Sequence, residues 1–177
     1  MESTVTDIRD SIGAIRDYPK PGIIFRDITP LLQDPDAFRS AIKLLKQRYS
    51  QLGITQIAAI EARGFIFGSA LAYAMGCGVT LLRKPGKLPG KVVSQSYQLE
   101  YGSDQLEMHE NALTMNDRVL IVDDLLATGG TVIAANQLIT SLGADVIEAA
   151  FVVSLPELGG EDKLQQAGVA CYTLCQF

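Results

Sequence analysis

Apolar residues along the chain change their spacing several times, and each change predicts an element. Val5, Ile8, Ile12 and Ile15 recur at helical spacing and predict a short amphipathic helix over residues 4–14. Tyr18-Pro19-Lys20-Pro21-Gly22 predicts a loop, because both prolines and the glycine break helix. Ile23 to Ile28 reads as a short extended segment ended by Thr29-Pro30. Asp34-Pro35 then opens a helix to about Ser50, with Phe38, Ile42, Leu45 and Tyr49 on its buried stripe. From Ile54 onward short apolar runs and helical patterns alternate. Ile57–Ile60, Val79–Leu82, Val119–Val122 and Val146–Val153 predict buried strands, with helices over 65–75 and 130–142. A last helix near 160–167 precedes a strand over 169–174.

This order predicts an α/β fold with a mostly parallel central sheet and helices on both faces. In such sheets ligands sit beyond the carboxyl ends of the strands. Between about Pro85 and Asn116 the pattern changes. Pro85 to Gly90 is rich in breakers, and 92–100 and 105–109 predict two antiparallel strands joined at Tyr101-Gly102-Ser103-Asp104. A hairpin inserted there, just after a basic turn, reads either as a mobile lid or as a static edge hairpin.

The 177 residues suffice for one domain with a substantial core, and an apolar fraction of 47% excludes wholesale disorder. Fifteen basic against twenty acidic residues, net charge −5, argue against general nucleic-acid binding. The local cluster Arg83, Lys84, Lys87 and Lys91 suits a small polyanion better than a duplex. No apolar run approaches a membrane span, and the N-terminus carries no secretory pattern. Cys77, Cys171 and Cys175 lack metal-ligand spacing and read as reduced core thiols. A cytoplasmic enzyme without membrane association fits these features.

Three polar turns carry the candidate chemistry, and each follows a predicted strand. The strand Val119–Val122 leads into Asp123-Asp124, a short apolar spacer, and Ala127-Thr128-Gly129-Gly130-Thr131 at the start of a helix. Turn glycines expose backbone N–H groups, and the helix start adds unpaired N–H groups and the positive end of its dipole. Together with the Thr128 and Thr131 hydroxyls they make a pocket for one phosphate. The acidic pair cannot hold phosphate; its partners are sugar hydroxyls or a divalent cation reached through water. The second turn is Glu61-Ala62-Arg63-Gly64, where Arg63 offers a planar fork to phosphate oxygens or else pairs with a nearby acid. The third is Arg83-Lys84-Pro85-Gly86-Lys87, a basic run held in a turn.

The run from Val119 to Thr131 resembles the phosphoribosyl pyrophosphate (PRPP) motif of type I phosphoribosyltransferases. Leu81 to Gly90, Pro21 to Pro30 and Ser96 to Gly102 are similar to segments of the adenine branch of that family. The resemblance implies a type I phosphoribosyltransferase fold in a single domain over 1–177. It implies a small N-terminal hood and base-recognition segment over 1–33 and a flexible hairpin lid over 85–116. The implied reaction moves the 5-phosphoribosyl group from PRPP to adenine, giving AMP and pyrophosphate. The 5′-phosphate would lie on Ala127, Thr128, Gly129, Gly130 and Thr131, and the ribose on Asp123 and Asp124. Pyrophosphate would meet Glu61, Ala62, Arg63, Gly64, Arg83, Lys84, Lys87 and Tyr101, through a turn that in the family often holds a non-proline cis peptide. Adenine would meet the ring of Phe25 and the backbone of Ile24 and Arg26. Glu100, Arg63 and Lys84 are the implied catalytic residues, with Glu100 the proton donor to the base. Mg²⁺ is the implied cofactor, held through substrate and water with no direct side-chain ligand. A homodimer is implied, with Arg83 the candidate to reach the partner's site. Two rivals stay open: an enzyme for another purine such as xanthine, and a ligand-sensing regulator without catalysis.

Overall fold

A computed structural model of the chain describes residues 5–98 and 103–177. Its centre is a five-stranded parallel sheet. The strands are β3 (Gln56–Ile60), β4 (Gly78–Leu82), β7 (Arg118–Leu126), β8 (Asp145–Ser154) and β9 (Cys171–Gln176), in the order β4-β3-β7-β8-β9. Side chains along a strand alternate between faces, so an apolar run buried on both sides feeds two cores. β7 does this residue by residue. Val119 and Ile121 join one core with α5 (Gly130–Ser141) and Leu164 of α6 (Gly160–Gln166). Leu120 and Val122 join the other with Ile8 of α1 (Val5–Asp10), α3 (Pro35–Tyr49) and α4 (Gly64–Met75).

Local chemistry sets the helices. Asp34 caps α3, its carboxylate accepting the N–H groups of Asp36 at 2.9 Å and Ala37 at 3.1 Å. At the other end, the fully buried Tyr49 donates its hydroxyl to Glu148 at 2.6 Å, and Arg48 grips the same carboxylate with two bonds of 2.8 Å. That network ties α3 to β8. α4 lies close on β3 because Gly68 has no side chain: a Cβ there would sit 2.6 Å from the Cβ of Ala59.

The N-terminal region departs from the predicted helix over 4–14. α1 stops at Asp10, and residues Gly13–Arg16 form β1, antiparallel to β2 (Ile24–Asp27). Ile15 is therefore on a strand, 46% exposed, and not on the buried helical stripe. Gly13 explains the change. It is a poor helix residue, and it lies opposite Asp27, where a Cβ would come within 3.2 Å of the Asp27 side chain. A further helix, α2 (Thr29–Gln33), starts where only the end of an extended segment was expected. Pro30 fits its first turn, where a missing N–H costs no helical bond, and Leu31 is fully buried.

The inserted hairpin is β5 (Val92–Gln98) paired antiparallel with β6 (Ser103–His109). Its foot is part of the core. Leu106 and Met108 are fully buried, and Arg83 and Glu107 exchange two main-chain hydrogen bonds of 2.9 and 2.8 Å that join β6 to the turn after β4. Any lid motion thus belongs to the part beyond this anchor. Leu106→Ala should cost roughly 2–5 kcal/mol of stability, as for a core leucine. Urea denaturation measures it, and a loss below about 1 kcal/mol would mean that the whole hairpin is peripheral.

Candidate active site

The turns after β4, β3 and β7 lie side by side, because those strands are neighbours in the sheet. At the centre is the acidic pair. The sequence predicted it just beyond the strand, but β7 runs on to Leu126, with Asp123 opposite Phe151 and Leu125 opposite Val153. β8 is long enough to continue the ladder, and this backbone pairing overrides the weak strand preference of aspartate. Asp124 is only 4% exposed. Arg63 Nε lies 2.9 Å from its Oδ2, an ion pair whose alignment leaves Oδ2 without a hydrogen bond among the described residues. Asp123 Oδ1 accepts the Asp124 N–H at 2.9 Å and packs on Gly64, where a Cβ would lie 2.8 Å from it. Gly64 is thus needed for the approach of α4 to β7 whatever ligand binds there. Burial raises the pKa of Asp123, and the neighbouring Asp124 charge raises it further. Burial also raises that of Asp124, against the opposing pull of Arg63.

Arg63 also reaches the base-recognition segment. Its guanidinium carbon is 5.5 Å from the centre of the Phe25 ring, which in turn meets the Tyr18 ring edge-on at 5.3 Å. Ile24 is exposed beside it, while the guanidinium of Arg26 turns to the ring of Phe177. Asp27 lies in the segment that resembles the family's adenine branch but was not expected as a site residue. The Thr29 hydroxyl at 2.6 Å and N–H at 2.9 Å hold its pKa below the usual range, and Arg63 adds to that.

Glu61 organises the basic turn. Its carboxylate accepts from Arg83 Nε at 3.0 Å and from the Lys84 N–H at 3.0 Å, and Arg83 reaches on to the Lys87 carbonyl at 2.9 Å. Burial works to raise its pKa, but these donors hold it below the ordinary value. Arg83, the residue expected to cross to a partner, is thus engaged within its own chain. Lys84 Nζ pairs with Asp104 and donates to the Tyr97 hydroxyl at 2.8 Å. The bond to Lys84 pulls the Asp104 pKa down. Glu107 accepts the Gly86 N–H at 2.9 Å. Asp104, Tyr97 and Glu107 all lie on the hairpin and were missed as site residues: Tyr97 falls in the Ser96–Gly102 segment that resembles the family, Asp104 was expected in the connecting turn but stands on β6, and Glu107 had only the strand alternation as a signal. Ala62 is exposed, and the Glu61–Ala62 peptide is cis. Lys87 is exposed. Glu100 and Tyr101 lie outside the described residues.

The loop from Ala127 to Thr131 caps α5. Gly129 has φ +78°, a left-handed conformation that favours glycine. The N–H groups of Gly129 to Thr131 and the hydroxyls of Thr128 and Thr131 have no partner among the described residues, so they are free for an anion. Gly160 supports the loop from behind and was also missed. A Cβ there would lie 2.1 Å from the Ala127 carbonyl oxygen. No local pattern marks such a glycine, because its reason is a contact distant in sequence.

The profile of the phosphoribosyl transferase domain matches residues 27–169, which span all three turns. The chain belongs to the phosphoribosyltransferase family. It is 86% identical over its full length to the whole adenine phosphoribosyltransferase of Idiomarina loihiensis. A crystal structure of the Thermoanaerobacter pseudethanolicus adenine phosphoribosyltransferase superposes with TM-score 0.93 at 46% identity, covering 98% of this chain and 100% of that one. The Saccharomyces cerevisiae adenine phosphoribosyltransferase, solved with an imino-altritol bisphosphate and adenine, has TM-score 0.89 at 37% identity, covering 97% and 98%. In this phosphoribosyltransferase the acidic pair, the basic turn and the cap of α5 therefore occupy one end of the family's sheet.

Two substitutions probe this geometry. A buried acid with a raised pKa opposes folding above its unfolded-state pKa, and that opposition fades as pH falls towards about 4. Asp123→Asn, whose Oδ1 can keep the Asp124 N–H bond, should therefore melt no lower than wild type at neutral pH. Its advantage should shrink on acidification; thermal melts across pH that show the reverse trend would refute the assignment. Gly160→Ala should displace Ala127 and lower kcat/KM by at least about tenfold, since misplacement of this size costs that much or more. Steady-state kinetics with circular dichroism as a fold control measure it.

Proposed function

We propose that the chain is an adenine phosphoribosyltransferase working through the three turns described above. It transfers the 5-phosphoribosyl group of PRPP to adenine, giving AMP and pyrophosphate in purine salvage. The observation that carries this is the full-length 86% identity to an adenine phosphoribosyltransferase. The arrangement of charges supports the assignment of roles. In the reaction the bond from ribose C1 to a pyrophosphate oxygen breaks, a bond from C1 to a ring nitrogen of adenine forms, and that nitrogen loses its proton. Positive charge builds on the ribose ring and negative charge on the leaving group, so positioning and electrostatic stabilisation do most of the work.

The free N–H groups of Gly129 to Thr131 hold the 5′-phosphate. Asp123 and Asp124 take the ribose hydroxyls, and the unsatisfied Asp124 Oδ2 is an acceptor for one of them. Arg63, Arg83, Lys84 and Lys87 receive pyrophosphate, each cation that is now paired exchanging a carboxylate for the leaving group. Phe25 stacks on adenine, with the backbone of Ile24 and Arg26 at its edge. Glu100 handles the proton at the base, and Tyr101 closes over the leaving group.

Mg²⁺ fits the donor set, because a buried carboxylate oxygen without a hydrogen bond can accept from metal-bound water as well as from a hydroxyl. When bound, the ion would supply neutralisation of the pyrophosphate charge, with Asp124 Oδ2 placed to accept from its water. A homodimer is part of the reading. Exposed apolar side chains on α4 (Ile66 and Tyr73, the latter 92% exposed) and on the edge strand β4 (Val79 and Leu81) support it. A cytoplasmic setting is supported by the free thiols of Cys77, Cys171 and Cys175. No described helix is long and apolar enough to cross a membrane.

A coupled assay for pyrophosphate release, run with adenine, hypoxanthine, guanine and xanthine, tests the reading. Adenine should be preferred by at least about 100-fold in kcat/KM, as expected of a site that hydrogen-bonds its base. Comparable turnover of all four would refute the base assignment. Pyrophosphate release with none of them would point to the regulator without catalysis.

A further inference from the structure

Phe177 follows β9, and its N–H donates to the Ser154 carbonyl at 3.2 Å, one step past the Ser154–Gln176 pairing of β8 with β9. Its backbone is thereby tied to the central sheet, behind the buried Leu174 and Cys175. Its ring is partly buried and packs against the core that holds Ile8, Leu174 and Cys175. The guanidinium carbon of Arg26 lies 4.3 Å from the ring centre, and that of Arg9 lies 4.6 Å from it. Among the described residues neither arginine has a carboxylate within ion-pair distance. Two like charges gather on one aromatic ring, whose negative faces attract both.

The consequence concerns β2. The β1–β2 sheet pairs with no strand of the central sheet. Ile12 and Ile28 are buried and anchor one end of it, beside the Gly13–Asp27 pair. Away from that end, Ile24 is exposed, and Phe25, Arg26 and Asp27 are only partly buried. Arg26 on Phe177 and Phe25 on Arg63 are the side-chain links that fix the middle of β2 against the rest of the molecule. The second link ends on the acidic pair, since Arg63 is the partner of Asp124. The first ends on β9, at the far edge of the sheet from β4.

We propose that Phe177 is a positioning residue for the purine. It holds Arg26, and with it the strand that meets the base, at a fixed height over the ribose site. This rests on the reading of Ile24, Phe25 and Arg26 as the adenine segment. The ring touches no substrate; it acts through Arg26.

Steady-state kinetics of Phe177→Ala, Phe177→Leu and Phe177→Trp beside wild type test it, with thermal melts as control. Leucine keeps the apolar volume, so the fold is retained, but it removes the aromatic face. Loss of one stacked cation should raise KM for adenine by about three- to tenfold in the Ala and Leu variants. KM for PRPP and kcat should stay within about twofold, because uniform binding at the base alone is weakened. Tryptophan should restore the adenine KM. An unchanged adenine KM in the Leu variant, or a parallel loss in both KM values and kcat, would overturn the proposal. A wild-type enzyme that does not turn over adenine would instead overturn the reading of the base segment itself.

Discussion

Two adjacent carboxylates built into the parallel strand β7 are the constraint around which the site is arranged. A buried carboxylate is costly unless it is paired and hydrogen-bonded. Here the compensation comes from the neighbouring turn: Arg63 pairs with Asp124, and the Asp124 N–H serves Asp123. For Arg63 to reach, the start of α4 must approach β7 closely, and Gly64 is the residue that permits it. The same arginine then meets Phe25, so the position of the hood is referred to the acidic pair as well. One electrostatic requirement in β7 thus fixes an adjacent helix and, through it, the strand proposed to meet the base.

Three of the four cations assigned to the site, all but Lys87, are already occupied. Arg63 has Asp124, Arg83 has Glu61 and Lys84 has Asp104. A cluster of free positive charges beside the basic turn would repel itself, and these carboxylates hold each cation in place before any anion arrives. The Arg83–Glu61 and Lys84–Asp104 pairs involve partly exposed side chains and contribute little net stability individually, whereas the Arg63 pair compensates the buried Asp124. For those two pairs exchange for a more highly charged anion is correspondingly easy. Glu61 also shapes the backbone of the turn by accepting the Lys84 N–H, so this acid positions the basic turn as well as pairing with Arg83.

The parts legible in the sequence are those with local causes. Apolar runs located all five strands of the sheet, and capping by Asp34 located the start of α3. The Gly-Thr turn after the acidic pair was readable because glycine and helix-start chemistry are local. What was not readable depends on partners distant in sequence. Gly13 sits in a helical apolar pattern but is used to approach Asp27 across a strand pair. Asp123 and Asp124 look like strand-end residues until the length of β8 carries the ladder past them. Gly160 and Asp104 serve Ala127 and Lys84 from elements whose own patterns say nothing of a site. Arg63 was expected to pair, if at all, with a nearby acid such as Glu61, and the fold supplies Asp124 instead.

The site divides into a rigid half and a half assembled from smaller sheets. The acidic pair and the cap of α5 belong to the central sheet and its crossover helix, with cores on both faces. The base strand and the hairpin each belong to a two-stranded sheet that is marginal by itself and needs external anchors. For the hairpin the anchors are Leu106 and Met108 in the core and the main-chain bridge from Glu107 to Arg83. For the base strand they are Ile12, Ile28 and two arginine–aromatic stacks. A reaction that must grip a sugar phosphate firmly yet admit a base is suited by this division. Each small sheet is fixed at one end by buried apolar residues, and the rest of it is held by polar and cation–aromatic contacts, which can adjust at lower cost than a packed core.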